Sequence, residues 1–316
     1  MSVTFADIEA AHTRIRPHIH RTPVLTSARL DRAAEASLFF KGENFQKVGA
    51  FKARGATNAV MLLRDDQAPR GVATHSSGNH AAALARAAQL RGIPAHIVMP
   101  SNSSAVKIRA VEGYGGRIVF CEPNQAAREA TCARLVAETG ATLIHPFENE
   151  QVMAGQGTAV VELLQDVPDL DLVLCPVGGG GLLAGTAIAA KHLRPAIKVI
   201  AVEPAQAGDA AASFHAHRPT PWAKTDTIAD GLRTNLGRPN FEVMERYVDD
   251  VVTVSEAGIL TAMRTVWETL KIIIEPSAAV TYAAIQERRV PVSSKRVGLL
   301  LTGGNVDLDA LPWMSK

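Results

Sequence analysis

The sequence predicts an α/β fold in which parallel, twisted sheets are flanked by helices on both faces. From about residue 70, short apolar runs alternate with longer stretches of helical pattern, an order typical of parallel strands joined by crossover helices. The apolar runs are continuously hydrophobic rather than alternating, as in strands that are covered on both faces. Two of them lead into glycine-rich turns at 178–181 and 303–304, at the strand ends where such sheets bind ligands.

The individual elements are assigned in chain order. A sequence resembling a capping box at Thr4–Asp7 begins a helix with one apolar face, and Thr22-Pro23 ends it before a short strand at Leu38–Phe40. Beyond residue 70 the predicted order is strand 71–74, helix 81–89, strand 95–100, helix 105–111, strand 117–121, helix 125–138, strand 142–147, helix 152–165, strand 171–177, helix 182–192, strand 198–204 and a last strand within 296–305. We also expect two lobes, because ligands in such sheets bind at a switch point or between lobes.

Composition and charge exclude several classes of protein. The 316 residues are 47% hydrophobic, and 33 basic against 31 acidic side chains give a net charge of +2, which provides no electrostatic footprint for a nucleic acid or an anionic membrane. The three cysteines lack the spacing of a disulfide framework or a zinc site. A protein that acts on a small molecule is therefore expected.

One segment has to be considered as a membrane span. Leu172–Ala190 holds nineteen residues without a charge, but Pro176 and five glycines within it would break a spanning helix. The N-terminal residues show no apolar stretch of a signal peptide. We therefore expect no membrane association and a cytoplasmic location.

Four consecutive glycines, Gly178, Gly179, Gly180 and Gly181, form the first candidate site. With Ala184 they match the G-x-G-x-x-A pattern of dinucleotide-binding folds, and Glu203 follows where those folds carry a ribose-binding acid. The run also exposes backbone N–H groups before a helix, which suits a single terminal phosphate. A tight turn needed only for packing is a third interpretation. The run by itself does not identify a cofactor.

Three further segments carry candidate residues. Residues 76–80, with the sequence SSGNH, lie between a strand and a helix, so their backbone can meet an anion. Lys52 lies in the small and apolar sequence GAFKARGA, where desolvation would lower the pKa of its amine. Residues 302–305, with the sequence TGGN, follow an apolar strand at its carboxyl edge. Taken singly, each has an ordinary alternative as a solvated lysine, a helix cap or a turn.

Four motifs nevertheless occur together and in one order: KGENFQKVGAFKARGA (41–56), HSSGNHAAALA (75–85), PVGGGGLLAG (176–185) and LLTGGN (300–305). This set resembles the serine/threonine dehydratase and serine racemase family of pyridoxal-phosphate (PLP) enzymes, which have the two-lobed fold type II of the tryptophan synthase β-subunit. AGQGT (154–158) and EPSAA (275–279) extend the match over essentially the whole chain. The resemblance displaces the dinucleotide interpretation.

The resemblance implies an organisation for the chain. Residues 1–70 and 149–316 would form a large PLP-binding domain, and residues 71–148 a small, mobile domain that carries the substrate loop. A homodimer is the family expectation. The matched region ends after the catalytic segments, so no allosteric isoleucine site is expected.

The resemblance also implies roles for individual residues. Lys52 would carry PLP and act as the base at the substrate Cα, with Phe51 packed near the ring. Gly178 to Gly181 would bind the PLP phosphate, Asn79 the ring O3′ and Thr302 the pyridine nitrogen. The substrate α-carboxylate would be received by the loop residues Ser76, Ser77, Asn79 and His80.

The partner of the pyridine nitrogen bears on the reaction. A threonine hydroxyl can donate to a neutral nitrogen, whereas a carboxylate would keep it protonated and make the ring a stronger electron sink. A weaker electron sink favours reactions in which the negative charge formed at the substrate Cα leaves at once with a group such as the β-hydroxyl. The resemblance therefore implies an ammonia-lyase that yields a keto acid and ammonia. The alternative is a racemase, in which Ser77 opposite Lys52 would relay a proton to the other face.

The segment 203–209 resembles the family's divalent-cation site. The carboxylates of Glu203 and Asp209 and the backbone carbonyl of Ala207 would supply hard oxygen ligands. Mg²⁺ is the expected ion, with Ca²⁺ or Mn²⁺ as alternatives. An exposed acidic loop without a metal is the other interpretation.

The substrate is predicted from smaller differences. GENFQKVGAFK is more similar to 3-hydroxyaspartate dehydratases and related racemases than to degradative threonine dehydratases, which tend to carry a serine where this chain has Ala50. A second carboxylate would need a partner near the side-chain pocket, for which His75 and Arg128 are candidates. Phe147 stands where serine racemases carry an asparagine. We expect 3-hydroxyaspartate ahead of serine and threonine.

Overall fold

The computed structural model describes residues 3–76, 78–223 and 225–314 and arranges their strands in two sheets. The strands are β1 (Val24–Leu25), β2 (Ser37–Gly42), β3 (Val72–His75), β4 (Ala95–Pro100), β5 (Arg117–Cys121), β6 (Thr142–Leu143), β7 (Leu172–Pro176), β8 (Lys198–Pro204), β9 (Asp250–Val254) and β10 (Arg296–Leu301). The helices of this part of the chain are α1 (Phe5–Ile15), α2 (Ala28–Ala34), α3 (Lys52–Met61), α4 (Asn79–Arg91), α5 (Ala105–Gly113), α6 (Gln125–Thr139), α7 (Glu150–Asp166), α8 (Gly181–Leu193), α9 (Asp209–Ala216), α10 (Arg238–Tyr247), α11 (Glu256–Leu270) and α12 (Pro276–Gln286).

The larger sheet has the strand order β1-β2-β10-β7-β8-β9. Its neighbours from β2 to β9 run parallel, and β1 pairs antiparallel with β2 at the edge. Val173 and Cys175 of β7 face a core shared with α7 and α8, whereas Leu172 and Leu174 face a second core shared with α11 and α12. Both faces are covered, which is why the strands are continuously apolar.

The smaller sheet has the order β5-β4-β3-β6, with every pairing parallel. On one face Ile97 and Met99 of β4 pack with residues of α3 and α4, and on the other Val98 packs with Cys132 of α6. The strands of this sheet come from residues 72–143, and those of the larger sheet from 24–42 and 172–301. Two helix-covered parallel sheets confirm the predicted α/β fold class.

Helix α7 lies close to both helices that begin at the candidate motifs. A Cβ built on Gly155 would lie 2.6 Å from the Gly55 Cα of α3, and one built on Gly157 would lie 2.7 Å from the Gly185 carbonyl oxygen of α8. Any side chain at these positions would force the helices apart. The glycines of AGQGT therefore set the spacing between α3, which begins at Lys52, and α8, which begins at Gly181.

A buried cluster of charges lies beneath the start of α3. The five N–H groups of Arg54 donate to Glu43 at 2.7 and 2.8 Å, to Glu162 at 2.9 and 2.8 Å, and to the Thr158 hydroxyl at 3.1 Å. Lys41 donates to Glu162 at 2.8 Å. Burial opposes ionisation of Glu162, but hydrogen bonds from His12 and Arg54 bring the pKa of this carboxyl well below its ordinary value. The cluster ties β2, α3 and α7 together.

The strand predicted at 142–147 is shorter in the structure. β6 ends at Leu143, and Pro146, which lacks a backbone N–H, cannot continue a strand ladder. The chain turns here toward Lys52, whose Nζ donates to the Pro146 carbonyl.

The uncharged stretch Leu172–Ala190 divides into β7, a glycine turn and the first part of α8. In the three described ranges, no helix is both long and apolar enough to cross a membrane.

Candidate active site

Lys52 is the first residue of α3 and points toward the segment after β6. Its Nζ donates to the Pro146 carbonyl oxygen at 2.9 Å and lies 5.1 Å from the centroid of the Phe51 ring. Burial lowers the pKa of Lys52 to about 8, against the opposing influence of Glu275. A lysine with this pKa is partly neutral near pH 7–8, and the neutral amine is the form that acts as a nucleophile or base.

The TGGN segment is joined directly to the turn that precedes Lys52. The backbone N–H of Phe51 donates to the Thr302 carbonyl at 3.0 Å, and Ala50 pairs with Gly303 in an isolated bridge. The Thr302 hydroxyl is buried, and no described group hydrogen-bonds to it. An unpaired buried hydroxyl costs free energy. Its position therefore suits a bound group that carries a hydrogen-bond acceptor.

Asn79 is held in one orientation by its neighbours. Its amide nitrogen donates to both oxygens of Glu275, at 2.9 and 3.1 Å, and its oxygen accepts a bond from Asn305 at 2.9 Å. The Asn305 nitrogen also donates to the Val48 carbonyl, so the Asn79 atom facing it must be the acceptor oxygen, which fixes which end of the Asn79 amide is nitrogen. The amide nitrogen therefore lies in a fixed orientation at the start of α4.

The four-glycine run forms a cradle at the start of α8. Gly180 has a φ of +88°, which side chains rarely tolerate, and a Cβ on Gly179 would lie 2.3 Å from the Phe147 ring, a collision. None of the described residues accepts a hydrogen bond from the N–H groups of 178–181. Free N–H groups at the start of a thirteen-residue helix provide an anion site. Together with the unpaired Thr302 hydroxyl, this cradle fits the phosphate and ring of PLP.

Two histidines, His80 and His145, lie near Lys52, and a third, His75, packs against His145. The rings of His75 and His145 meet edge to face at 5.4 Å between centroids, and the His80 Nε2 lies 3.0 Å from the Ile144 carbonyl. Burial lowers the pKa of His80 to about 3 and that of His145 to about 4, and the Lys52 charge contributes to both shifts. The three imidazoles are therefore neutral at pH 7.

Among the predicted substrate residues, His75 and Arg128 lie near each other. His75 ends β3, and its pKa is lowered by burial and then by the charge of Arg128, which places Arg128 nearby. The Ser76 hydroxyl accepts a bond from the Gly78 N–H at 3.4 Å. Ser77 lies outside the described residues, so its predicted roles in the substrate loop and in proton relay stay predictions.

The predicted cation residues also lie together. The Glu203 carboxylate accepts the Ala210 and Ala211 N–H groups at 3.3 and 2.7 Å, and Asp209 Oδ2 accepts the Leu236 N–H at 2.7 Å. Asp209 Oδ1 is buried, with no partner in the part of the chain described. Over the same residues, no group of three or more His, Cys, Asp or Glu side chains is arranged as a metal site. The predicted set has only two such side chains, Glu203 and Asp209, because its third ligand is the backbone carbonyl of Ala207.

Sequence reasoning missed Glu275, Asn305 and His145 as site residues. Glu275 and Asn305 belong to the matched EPSAA and TGGN motifs, so each motif contained the signal. Asn305 donates to the Val48 carbonyl at 2.8 Å, and Val48 has a φ of +56°, an unusual conformation for a β-branched residue. His145 gave no such signal, because only the turn after β6 brings it to Lys52.

Comparison with known proteins agrees with this geometry. A family model described as pyridoxal-phosphate dependent enzyme matches residues 15–303. The chain is 49% identical over 310 residues to the beta-hydroxyaspartate dehydratase of Paracoccus denitrificans (strain Pd 1222), with 98% of each chain covered. It is 46% identical over 313 residues to the serine racemase of Oryza sativa subsp. indica, with 98% of this chain and 92% of that one covered. The structure of maize serine racemase matches with a TM-score of 0.96 and 45% identity, covering 98% of this chain and 95% of that one.

The buried Glu275 generates a prediction about pH and stability. Burial, followed by the charge of Asp230, raises the pKa of Glu275 from 4.5 to about 7. The folded protein therefore holds a proton that the unfolded chain releases, and this stabilisation is lost as the pH rises from about 4.5 to 7. Urea unfolding of Glu275→Gln should show a smaller decline over this range, with a gain over wild type at pH 8 of up to about 3 kcal/mol.

The exposed Glu9→Gln variant is the control and should follow wild type at every pH. Parallel pH profiles for wild type and Glu275→Gln would show that Glu275 is ionised in the folded protein throughout this range.

Proposed function

This chain belongs to the pyridoxal-phosphate dependent enzymes of fold type II, within the serine/threonine dehydratase and serine racemase family, and from that premise we propose that it is an ammonia-lyase acting on 3-hydroxyaspartate. The reaction would eliminate water, after which the released enamine would tautomerise to an imine, add water back and lose ammonia, leaving a dicarboxylic keto acid. The observation that carries the proposal is the partly neutral Lys52 amine, held beside a glycine cradle and the unpaired Thr302 hydroxyl. A serine racemase is the alternative, supported by the rice relative.

The choice of substrate rests on similarity and on one side chain. The relative from Paracoccus denitrificans carries the name of a beta-hydroxyaspartate dehydratase and shares 49% of its residues with this chain. The Phe147 ring packs over Gly179, at a position where serine racemases carry an amide. This difference favours dehydration of a dicarboxylic amino acid over racemisation of serine. Serine and threonine come next as substrates.

Residues of this chain would hold the cofactor at defined points. The N–H groups of Gly178 to Gly181 would bind the phosphate, Asn79 would donate to O3′, Phe51 would pack near the ring and Thr302 would donate to the pyridine nitrogen. When bound, PLP supplies an electron sink that makes the substrate α-proton removable. The Asn79 amide, held by Glu275 and Asn305, would share an N–H between O3′ and the Glu275 carboxyl group.

The chain's own side chains would then place the substrate and move its proton. The N-terminus of α4, at Ser76, Ser77, Asn79 and His80, would receive the α-carboxylate, since a helix N-terminus stabilises negative charge. Lys52 Nζ would accept the proton from the substrate Cα. His75 and Arg128, at the far end of the same region, would face the distal carboxylate.

A divalent cation is proposed at Glu203, Ala207 and Asp209. The support is the buried and unpartnered Asp209 Oδ1, next to the Glu203 carboxylate. Mg²⁺ typically binds one or two carboxylates and keeps several waters. A set of two carboxylates and one backbone carbonyl matches this preference. Ca²⁺ and Mn²⁺ are the other candidates.

The larger assembly is proposed on the same premise. Residues 1–70 and 149–316 would form the large domain and 71–148 the small, mobile one, in a cytoplasmic homodimer that binds neither nucleic acid nor membrane. The separation of the two sheets along the chain supports the division into domains.

The activity is tested by assaying keto acid and ammonia from serine, threonine and each stereoisomer of 3-hydroxyaspartate. One 3-hydroxyaspartate isomer should give the highest kcat/KM, and Lys52→Ala should lower its kcat at least about 1000-fold, because base and cofactor attachment are lost together. The cofactor absorbance of Lys47→Ala, a lysine outside the site, should match wild type. D-Serine formed from L-serine in deuterated water, without keto acid from any substrate, would instead establish the racemase.

The cation is tested by removing it. Chelator treatment of the holoenzyme should lower Tm by a few degrees, and Mg²⁺ at about 100 times Kd should restore about 2.7 kcal/mol of stability. Asp209→Asn should abolish the response, and the exposed Asp66→Asn should retain it. A Tm indifferent to chelator and to added Mg²⁺, Ca²⁺ and Mn²⁺ would refute the site.

A further inference from the structure

The tautomer of His145 is fixed by a backbone hydrogen bond. The Glu148 N–H donates to His145 Nδ1 at 3.1 Å, so Nδ1 presents its lone pair. In the neutral ring the proton must then lie on Nε2. Protonation of Nδ1 would set two N–H groups against each other. His145 is thus a neutral donor with one defined N–H.

The position of this ring places it at the substrate end of the site. His145 immediately precedes Pro146, whose carbonyl accepts the Lys52 bond at 2.9 Å. Its ring packs edge to face between His75, at 5.4 Å, and Phe147, at 4.6 Å between centroids. His145 therefore lies between His75, which its ring contacts, and Lys52, whose amine bonds to the residue that follows it.

We propose that His145 is a specificity-determining residue whose Nε2–H donates to the distal carboxylate of a dicarboxylic substrate. The proposal rests on the proposed function and adds to His75 and Arg128 a third residue that contacts the second carboxylate. In the proposed function the N-terminus of α4 receives the α-carboxylate and His75 and Arg128 face the distal one, which His145 would reach as a further, neutral donor. A site built to hydrogen-bond a substrate group discriminates against an analogue that lacks it, because its own donor is then left unpaired.

The charges that face His145 keep the ring neutral. Lys52 of α3, with the neighbouring rings of His75 and His80, disfavours a second proton, whereas Glu129 of α6 and the adjacent Glu148 favour one. Burial is the largest influence, and the pKa of His145 falls to about 4. Above pH 5 the donor is therefore constant, and discrimination does not depend on an imidazolium.

A carboxylate of the chain already lies opposite this donor. Glu148 Oε2 is 4.0 Å from His145 Nε2, beyond hydrogen-bond distance, and the Glu148 side chain is 40% exposed. A carboxylate at this distance would compete electrostatically with a substrate carboxylate for the Nε2–H. Neutralising Glu148 should therefore favour the dicarboxylic substrate.

Two isosteric variants of the holoenzyme test the proposal. His145→Asn keeps an acceptor near Nδ1 for the Glu148 N–H but removes the donor at Nε2, whereas His145→Gln places an amide N–H near Nε2. The measured quantity is the ratio of kcat/KM for 3-hydroxyaspartate to that for serine, from which general losses of folding or cofactor cancel. The ratio should fall about 10- to 100-fold in His145→Asn and stay within about threefold of wild type in His145→Gln.

Two control variants and a pH profile of the same kcat/KM ratio complete the test. The exposed His217→Asn, which also removes a histidine–glutamate contact, should not change the ratio, and Glu148→Gln should raise it. The wild-type ratio should stay flat between pH 6 and 8, because Lys52 titration affects both substrates alike. A ratio that falls equally in both His145 variants, falls in neither, or declines through pH 6.5 would overturn the proposal.

The assays distinguish failure of the proposed function from failure of the role given to His145. An enzyme that converts serine but no isomer of 3-hydroxyaspartate would refute the substrate assignment. Turnover of 3-hydroxyaspartate with an unchanged ratio in His145→Asn would refute the role of His145 alone.

Discussion

Arg54 holds its guanidinium between two buried carboxylates, and the placement of the site depends on this contact. All five N–H groups of Arg54 are used, by Glu43, Glu162 and Thr158. Such a set is costly to bury and much costlier to break, because a buried charge without its partner has neither water nor a counter-ion. Lys52 lies two residues before Arg54 on the same helix, so the cluster fixes the turn that presents the lysine.

The site itself is assembled by short backbone contacts around that turn. Glycines of α7 allow α3 and α8 each to pack closely against α7. The Lys52 amine lies at the start of α3 and the glycine cradle at the start of α8, so both are positioned by the same helix. The Phe51 N–H joins the same turn to Thr302, and Asn305 joins it to Asn79. Segments distant in sequence are therefore positioned by main-chain geometry, and their side chains remain available for ligands.

Much of this was predictable from the sequence, for identifiable physical reasons. Continuous apolar runs gave the parallel sheets, and the ordered motifs identified the PLP family through Lys52, the glycine run and Thr302. Local patterns carry no information on which distant carboxylates surround Arg54, or on the short β6 that turns His145 toward Lys52. A left-handed Val48 is likewise unpredictable locally, since only its long-range bond to Asn305 accounts for it. The roles of Lys52, the glycine run and Thr302 could thus be predicted from the sequence. The tautomer of His145 could not, because it depends on a hydrogen bond that only the folded structure shows.

The dependence on Arg54 is tested most directly by urea unfolding of Arg54→Met beside Arg64→Met. Arg64 makes a comparable pair of bonds, but to Asp66 at the surface, where both side chains are well exposed. Arg54→Met should lose roughly 3–5 kcal/mol of unfolding free energy, because two buried carboxylates lose their shared partner. Arg64→Met should unfold like wild type. Equal unfolding curves for the two variants would contradict the central role given to the buried cluster.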